Sequence, residues 1–157
     1  MFLPQIHLWQ NNLHAFSDDV IFAKGKTGIF QIVVLTDTVQ EARIREAEIT
    51  SAELEQLSNG LINTSETTYI VHKEKPSGSV PKNFVFAMSL SEYDEMGITP
   101  QLTGYTKDRI QQEFPWKKFV VVRPDRYTFG TAIAADGVQD IARRASNLVF
   151  GEKGSQK

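Results

Sequence analysis

The chain has 157 residues, 41% of them hydrophobic and 23% charged, with a formal net charge of −2 and no cysteine. These are ordinary values for a soluble globular protein, and the length suits one domain that buries roughly 70% of its unfolded surface. The missing cysteine excludes disulfides, thiolate catalysis, zinc–sulfur sites and cysteine-ligated iron–sulfur clusters.

Charge and hydropathy narrow the partners. Arg43 and Arg45 alternate with Glu41, Glu46 and Glu48, the pattern of a solvated helix face rather than a phosphate-binding stripe. Nucleic acid is therefore not an expected partner. No window approaches 18 apolar residues, and Met1-Phe2-Leu3-Pro4-Gln5 lacks a basic-then-apolar start, so no membrane association and a cytoplasmic location are expected.

In chain order, Gln5 to Trp9 and Val20 to Ala23 read as short extended segments, separated by Asn11-Asn12 and Ser17-Asp18-Asp19. Residues 1–27 are thus expected to form an N-terminal extended arm that ends in the turn Lys24-Gly25-Lys26-Thr27-Gly28. Ile29 to Leu35 is a nearly all-apolar run that suits a central strand. Thr36-Asp37-Thr38 offers N-cap oxygens to a helix starting near Val39. A second helix start is signalled at Thr50, with Glu53 three residues on as a capping box and Gly60 as the closing cap. Thr67 to His72 and Asn83 to Met88 read as further strands. Residues 106–114 carry a helical period with Ile110 and Phe114 apolar. Phe119 to Val122 is a β-branched run for a strand buried on both faces. Arg123-Pro124-Asp125-Arg126 is then a tight turn, because Pro124 fixes φ and Asp125 can bond its own backbone. Tyr127-Thr128-Phe129 returns as a strand, and a helix follows from about Val138 to Phe150. Residues 151–157 are polar and expected to be disordered. Asn63-Thr64-Ser65 matches a glycosylation acceptor, and without a secretory signal it reads as a loop.

The stretch Lys118-Phe-Val-Val-Val-Arg-Pro-Asp-Arg-Tyr127 resembles the C-terminal domain of FAD-dependent phenol hydroxylase-type monooxygenases. That family carries a strand ending in Arg-Pro-Asp, a variable residue and an aromatic. Gly28 to Val34 looks like the family's first core strand, and Phe2-Leu3-Pro4 is similar to its Pro-containing lead-in. Residues 93–98 and 106–114 fall where the family has a variable helix. The resemblance runs from about Phe2 to Phe150 and implies a single thioredoxin-like α/β domain over residues 1–150. A central mixed sheet flanked by helices is expected, without the CxxC redox site. Lys117 stands where thioredoxins keep a cis-proline. Family members often have glycine where this chain has Arg126, so a turn without positive φ is expected there.

Each candidate functional residue has two readings. Thr36 and Thr38 could bind an anionic ligand at a helix N-terminus, or simply cap it. His72 ends a strand and could act as a general base, or sit as a structural histidine. Tyr93 and Asp94 beside Gly97 could exchange protons with an aromatic or polyketide-like ligand, or form a polar helix start capped by Ser89 or Ser91. Arg123 could hold a carboxylate or phenolate, or pair with Asp125 within the turn. His7, His14 and His72 have no metal-ligand spacing, so no metal is expected. No G-x-G-x-x-G occurs, so FAD binding in the family's manner is not expected and no cofactor is assigned.

Two functions follow. One is non-catalytic: an accessory, assembly or aromatic-metabolite-binding protein associated with aromatic or polyketide oxidation. The resemblance implies a homodimer or a flavin monooxygenase as its partner. The other is a small cofactor-independent isomerase, cyclase or dehydratase acting by side-chain acid–base chemistry. Phe2, Leu3, Ile6, Leu8 and Trp9 are the apolar residues expected to face a partner. Incubated with insulin and dithiothreitol, the protein is expected to give no precipitation above the reductant alone. A rate above that background would overturn the exclusion of disulfide exchange.

Overall fold

The computed structural model describes residues 2–10, 13–76, 78–89, 92, 107 and 109–151. The alternation of the strands explains its architecture. In β3 (Gln31–Thr36), Ile32 and Val34 enter one apolar cluster, while Val33 and Leu35 enter a second on the opposite face. β6 (Phe119–Val122) divides the same way, with Phe119 and Val121 on the first face and Val120 and Val122 on the second. Strands with apolar side chains on both faces must be covered on both. The remaining elements supply that cover.

Among the described residues, seven strands form one sheet in the order β2-β1-β5-β4-β3-β6-β7. Besides β3 and β6 these are β1 (His7–Gln10), β2 (Leu13–Phe16), β4 (Thr68–Val71), β5 (Phe84–Ala87) and β7 (Thr128–Ala132). β4 pairs with β3 and β5 in parallel, whereas β6 pairs antiparallel with β3 and with β7. The β3–helix–β4 unit followed by the β6–β7 hairpin and a closing helix is the thioredoxin-like core. β5 continues the sheet beyond β4, and the β1–β2 hairpin is added antiparallel to β5.

Helices α2 (Val39–Ser51), α3 (Leu54–Leu57) and α5 (Ala135–Phe150) contribute to the first cluster. In α5, Val138, Ile141, Ala142 and Ala145 recur at helical spacing and are buried, a single apolar stripe laid on the sheet. A Cβ built on Gly130 of β7 would come within 2.9 Å of both Ile141 Cδ1 and Arg144 Nη2. Glycine there lets α5 approach the strand closely. Helices α1 (Ser17–Ile21) and α4 (Arg109–Glu113) place Val20, Ile21 and Ile110 in the second cluster.

Four local expectations are corrected. Ser17 to Ile21 is a helical turn, not a break followed by an extended segment: Ser17 is buried, and its hydroxyl accepts from the Ile6 amide at 2.9 Å. Thr50 does not start a helix, because α2 runs through it and the chain breaks at Glu53, which adopts φ +57°. Arg126 adopts φ +71°, the left-handed turn expected only with glycine. That conformation costs about 1–2 kcal/mol for a residue with a Cβ. It is offset by the Arg126 Nε–Asp18 Oδ2 contact at 2.7 Å and by the guanidinium lying 5.3 Å from the Phe22 ring centre.

The N-terminal residues provide the fourth correction. Leu3, Ile6 and Leu8 are buried in the second cluster, and Trp9 packs against the first. Leu3 N donates to Arg126 O at 3.0 Å, and Phe2 bridges to Tyr127 with ring centres 4.1 Å apart. The arm folds back on its own sheet and leaves only Phe2 of the five apolar residues well exposed, at 55%. Its apolar content is core, so it no longer argues for a partner.

Two outcomes test this architecture. Val121 is fully buried on the central pair, and an unpaired carboxylate there costs several kcal/mol of a stability of about 5–15 kcal/mol. Val121→Asp should therefore be insoluble or lack a cooperative melt. Deleting residues 1–10 removes Leu3, Ile6 and Leu8, each worth about 1.5–3 kcal/mol of burial, so the truncated chain should lose its cooperative transition. A truncated chain with an unchanged melting midpoint would contradict the packing of the arm.

Candidate functional site

In α/β sheets, ligand chemistry concentrates at the C-terminal ends of the parallel strands. Here that edge carries Thr36 at the end of β3 and His72 just after β4. Thr36 is buried, and its hydroxyl donates to Ile70 O at 2.9 Å. Thr38 is the N-cap of α2, its hydroxyl accepting from Glu41 N at 3.1 Å while Glu41 Oε1 accepts from Asp37 N at 3.2 Å. Thr38 thus satisfies the Glu41 amide of the first turn, and Glu41 returns a bond to the chain just before the N-cap. Both threonines are engaged in internal bonds.

His72 is 1% exposed. Its Nδ1 lies 3.0 Å from Thr36 O, and since a carbonyl can only accept, Nδ1 carries the proton. Its Nε2 is buried as well. The backbone repeats the link, with His72 N donating to Thr36 O at 3.0 Å and Lys73 N to Asp37 O at 2.9 Å. These bonds extend the β3–β4 pairing past the last regular residue. The imidazole therefore acts as a clasp between two strand ends.

A cleft of about 330 Å³ opens beside it, lined by His72, Lys73, Glu74, Lys75, Glu92 and Lys107. Lys73 reaches Asp37 at 3.5 Å and Lys107 reaches Glu92 at 2.8 Å. Burial would raise the Glu92 carboxyl, but the Lys107 ammonium and the Ser89 amide and hydroxyl outweigh it and hold it below the ordinary value. The cleft is thus bordered by paired charges. Tyr93 and Asp94 lie outside the described residues.

Arg123 belongs to the other end of the sheet. Val122 pairs with Gln31 at the start of β3, so Arg123 and Thr36 are separated by the length of the strand, roughly 16 Å at about 3.3 Å per residue. Arg123 Nη2 holds Asp125 Oδ2 at 2.5 Å, and Asp125 Oδ1 accepts from Tyr127 N at 3.1 Å. The guanidinium lies 5.7 Å from the Tyr127 ring centre. These contacts close the turn. Arg123 cannot share one site with Thr36, Thr38 and His72.

A larger cleft of about 710 Å³ lies over the first cluster, between α2, α3 and the 3-10 turn at Thr64–Glu66. Glu46, Glu53, Glu55 and Lys82 are its charged residues, with Tyr69 at its floor. Burial, with a smaller contribution from Glu46, pushes the Tyr69 phenol well above its ordinary value. Tyr69 therefore stays protonated in any neutral medium. Among the described residues, no group of three or more histidines or carboxylates could hold a metal ion.

One charged arrangement had no signal in the sequence. Lys26, read as a turn residue, turns inward: Nζ donates to Ile21 O at 2.9 Å, Glu66 O at 3.2 Å and Thr68 Oγ1 at 3.4 Å. The Glu66 carboxylate accepts from Thr27 N at 2.6 Å and Gly28 N at 2.8 Å. A Cβ on Gly28 would stand 3.1 Å from Glu66 Oε1 and 3.0 Å from Asn63 N, so glycine keeps this approach open. Together the two side chains pin the segment that leads from α1 into β3. Partial burial pushes Lys26 down to about 8, against the opposing pull of Glu66. Burial likewise works against the Glu66 carboxylate, but the Gly28 and Thr27 amides, the Thr27 hydroxyl and Lys26 hold it below its ordinary value.

No protein-family model matches the chain, and no curated protein matches it. Among solved structures, yeast Sco1 with copper bound aligns over 97% of this chain and 92% of its own, with a TM-score of 0.48 and 9% identity. A likeness of that degree assigns no ligand and no activity; the copper is a property of that protein.

The Lys26 arrangement makes a prediction with a definite sign. Between pH 8 and 10 the folded chain has released the Lys26 proton while the unfolded chain still holds it. The unfolded state then binds more protons, so stability rises with pH across this window. Above pH 10 the raised Tyr69 phenol acts in the opposite sense. Thermal midpoints should rise from pH 8 to 10 in the parent relative to Lys26→Met. Parallel curves for the two proteins would overturn the assignment.

Proposed function

We propose that the chain is a non-catalytic thioredoxin-like module, an accessory or assembly protein of aromatic or polyketide oxidation with no flavin or thiol chemistry of its own. The observation that carries this reading is the internal engagement of the strand-end groups. Thr36, Thr38 and His72 hold the fold together through the Ile70 and Thr36 carbonyls and the Glu41 amide. Supporting it, Arg123, the other charged candidate, closes the β6–β7 turn from the far end of the sheet. The hairpin-then-helix ending on which the family resemblance rests is also present as β6, β7 and α5. The partner in this reading is a flavin monooxygenase or a second copy of the chain, with a small aromatic or polyketide-derived compound as a possible ligand.

The second reading, a cofactor-independent isomerase, cyclase or lyase, draws on the cleft beside His72. It requires the imidazole to exchange a proton with a ligand, and both of its nitrogens are buried or bonded inward. The first reading is the better supported.

The test is reconstitution. The purified chain is mixed with a phenol hydroxylase-type monooxygenase cut back to its flavin and substrate domains. Co-elution on size exclusion, with a several-fold gain in phenol-dependent NADPH oxidation, is the expected result. Separate elution, with no gain in rate and no melting shift on adding phenol, catechol or resorcinol, would sink the proposal. Conversion of such a compound by the chain alone, lost in His72→Gln, would favour the enzymatic reading.

A further inference from the structure

We draw no further inference here: the strongest candidate, the exposed apolar patch of Leu148, Val149 and Phe150 in the last turn of α5, is unpartnered, and nothing in the structure shows what covers it.

Discussion

Everything in this molecule is arranged around the two-sided pairing of β3. Its six residues are buried on both faces and hydrogen-bonded on both edges, to β4 in parallel and to β6 antiparallel. Backbone N–H and C=O groups buried in that position must find partners in neighbouring strands. A single misplaced strand would therefore leave a row of them unsatisfied. The apolar alternation of β3 then dictates two separate cores, one under α2, α3 and α5 and one under α1, α4 and the N-terminal residues. The second core exists because residues 2–21 return to the sheet. A chain lacking that return would expose Val33, Leu35, Ile70, Val120 and Val122 to water.

Strand ends are where such a sheet has groups to spare, and this protein spends most of them on itself. Thr36 and His72 bind one strand to the next, Thr38 and Glu41 close the N-terminus of α2, and Arg123 and Asp125 close the distal turn. A reactive centre needs the opposite condition, a polar group held in place yet open to a ligand. In thioredoxin-like proteins with redox activity, a thiolate at the end of the first core strand meets that condition. This chain carries Thr36-Asp37-Thr38 there, and hydroxyls used as hydrogen-bond donors and caps are poor nucleophiles without a base to activate them.

Two cationic groups, Lys26 and Arg126, show how similar chemistry serves different structural ends. Lys26 gathers three oxygens from three elements and loses part of its hydration in doing so, which is why its proton is held weakly. Arg126 instead keeps its guanidinium half exposed, and the planar group can lie against Phe22 while its Nε meets Asp18. That dual contact makes arginine tolerable at a positive φ where glycine would be the usual choice. Both residues tie the N-terminal third to the core, Lys26 through Glu66 and Thr68 and Arg126 through Asp18 and Phe22.

The sequence by itself determined the elements with a strong local cause. A nearly all-apolar run identified β3 and a continuous apolar, β-branched run identified β6, because strands with apolar residues on both faces are buried on both. Thr38 was legible as an N-cap, since its side chain competes for helix amides only at that position. Pro124 and Asp125 made the distal turn legible for the same kind of reason. Tertiary structure alone decided the rest. Whether Leu3, Ile6 and Leu8 formed an interface or a core depended on a sheet face assembled from β3, β4, β5 and β6, all distant from them in sequence. Whether Ser17 to Ile21 coiled depended on the partners waiting for Ser17 and Ile21. The arginine turn depended on Asp18 and Phe22, and the burial of Lys26 on carbonyls brought by Ile21 and Glu66. His72 likewise became a clasp only because β4 lay beside β3. Long-range contacts of this kind leave no periodicity or spacing in the chain, since they arise from which surfaces meet once the sheet has closed.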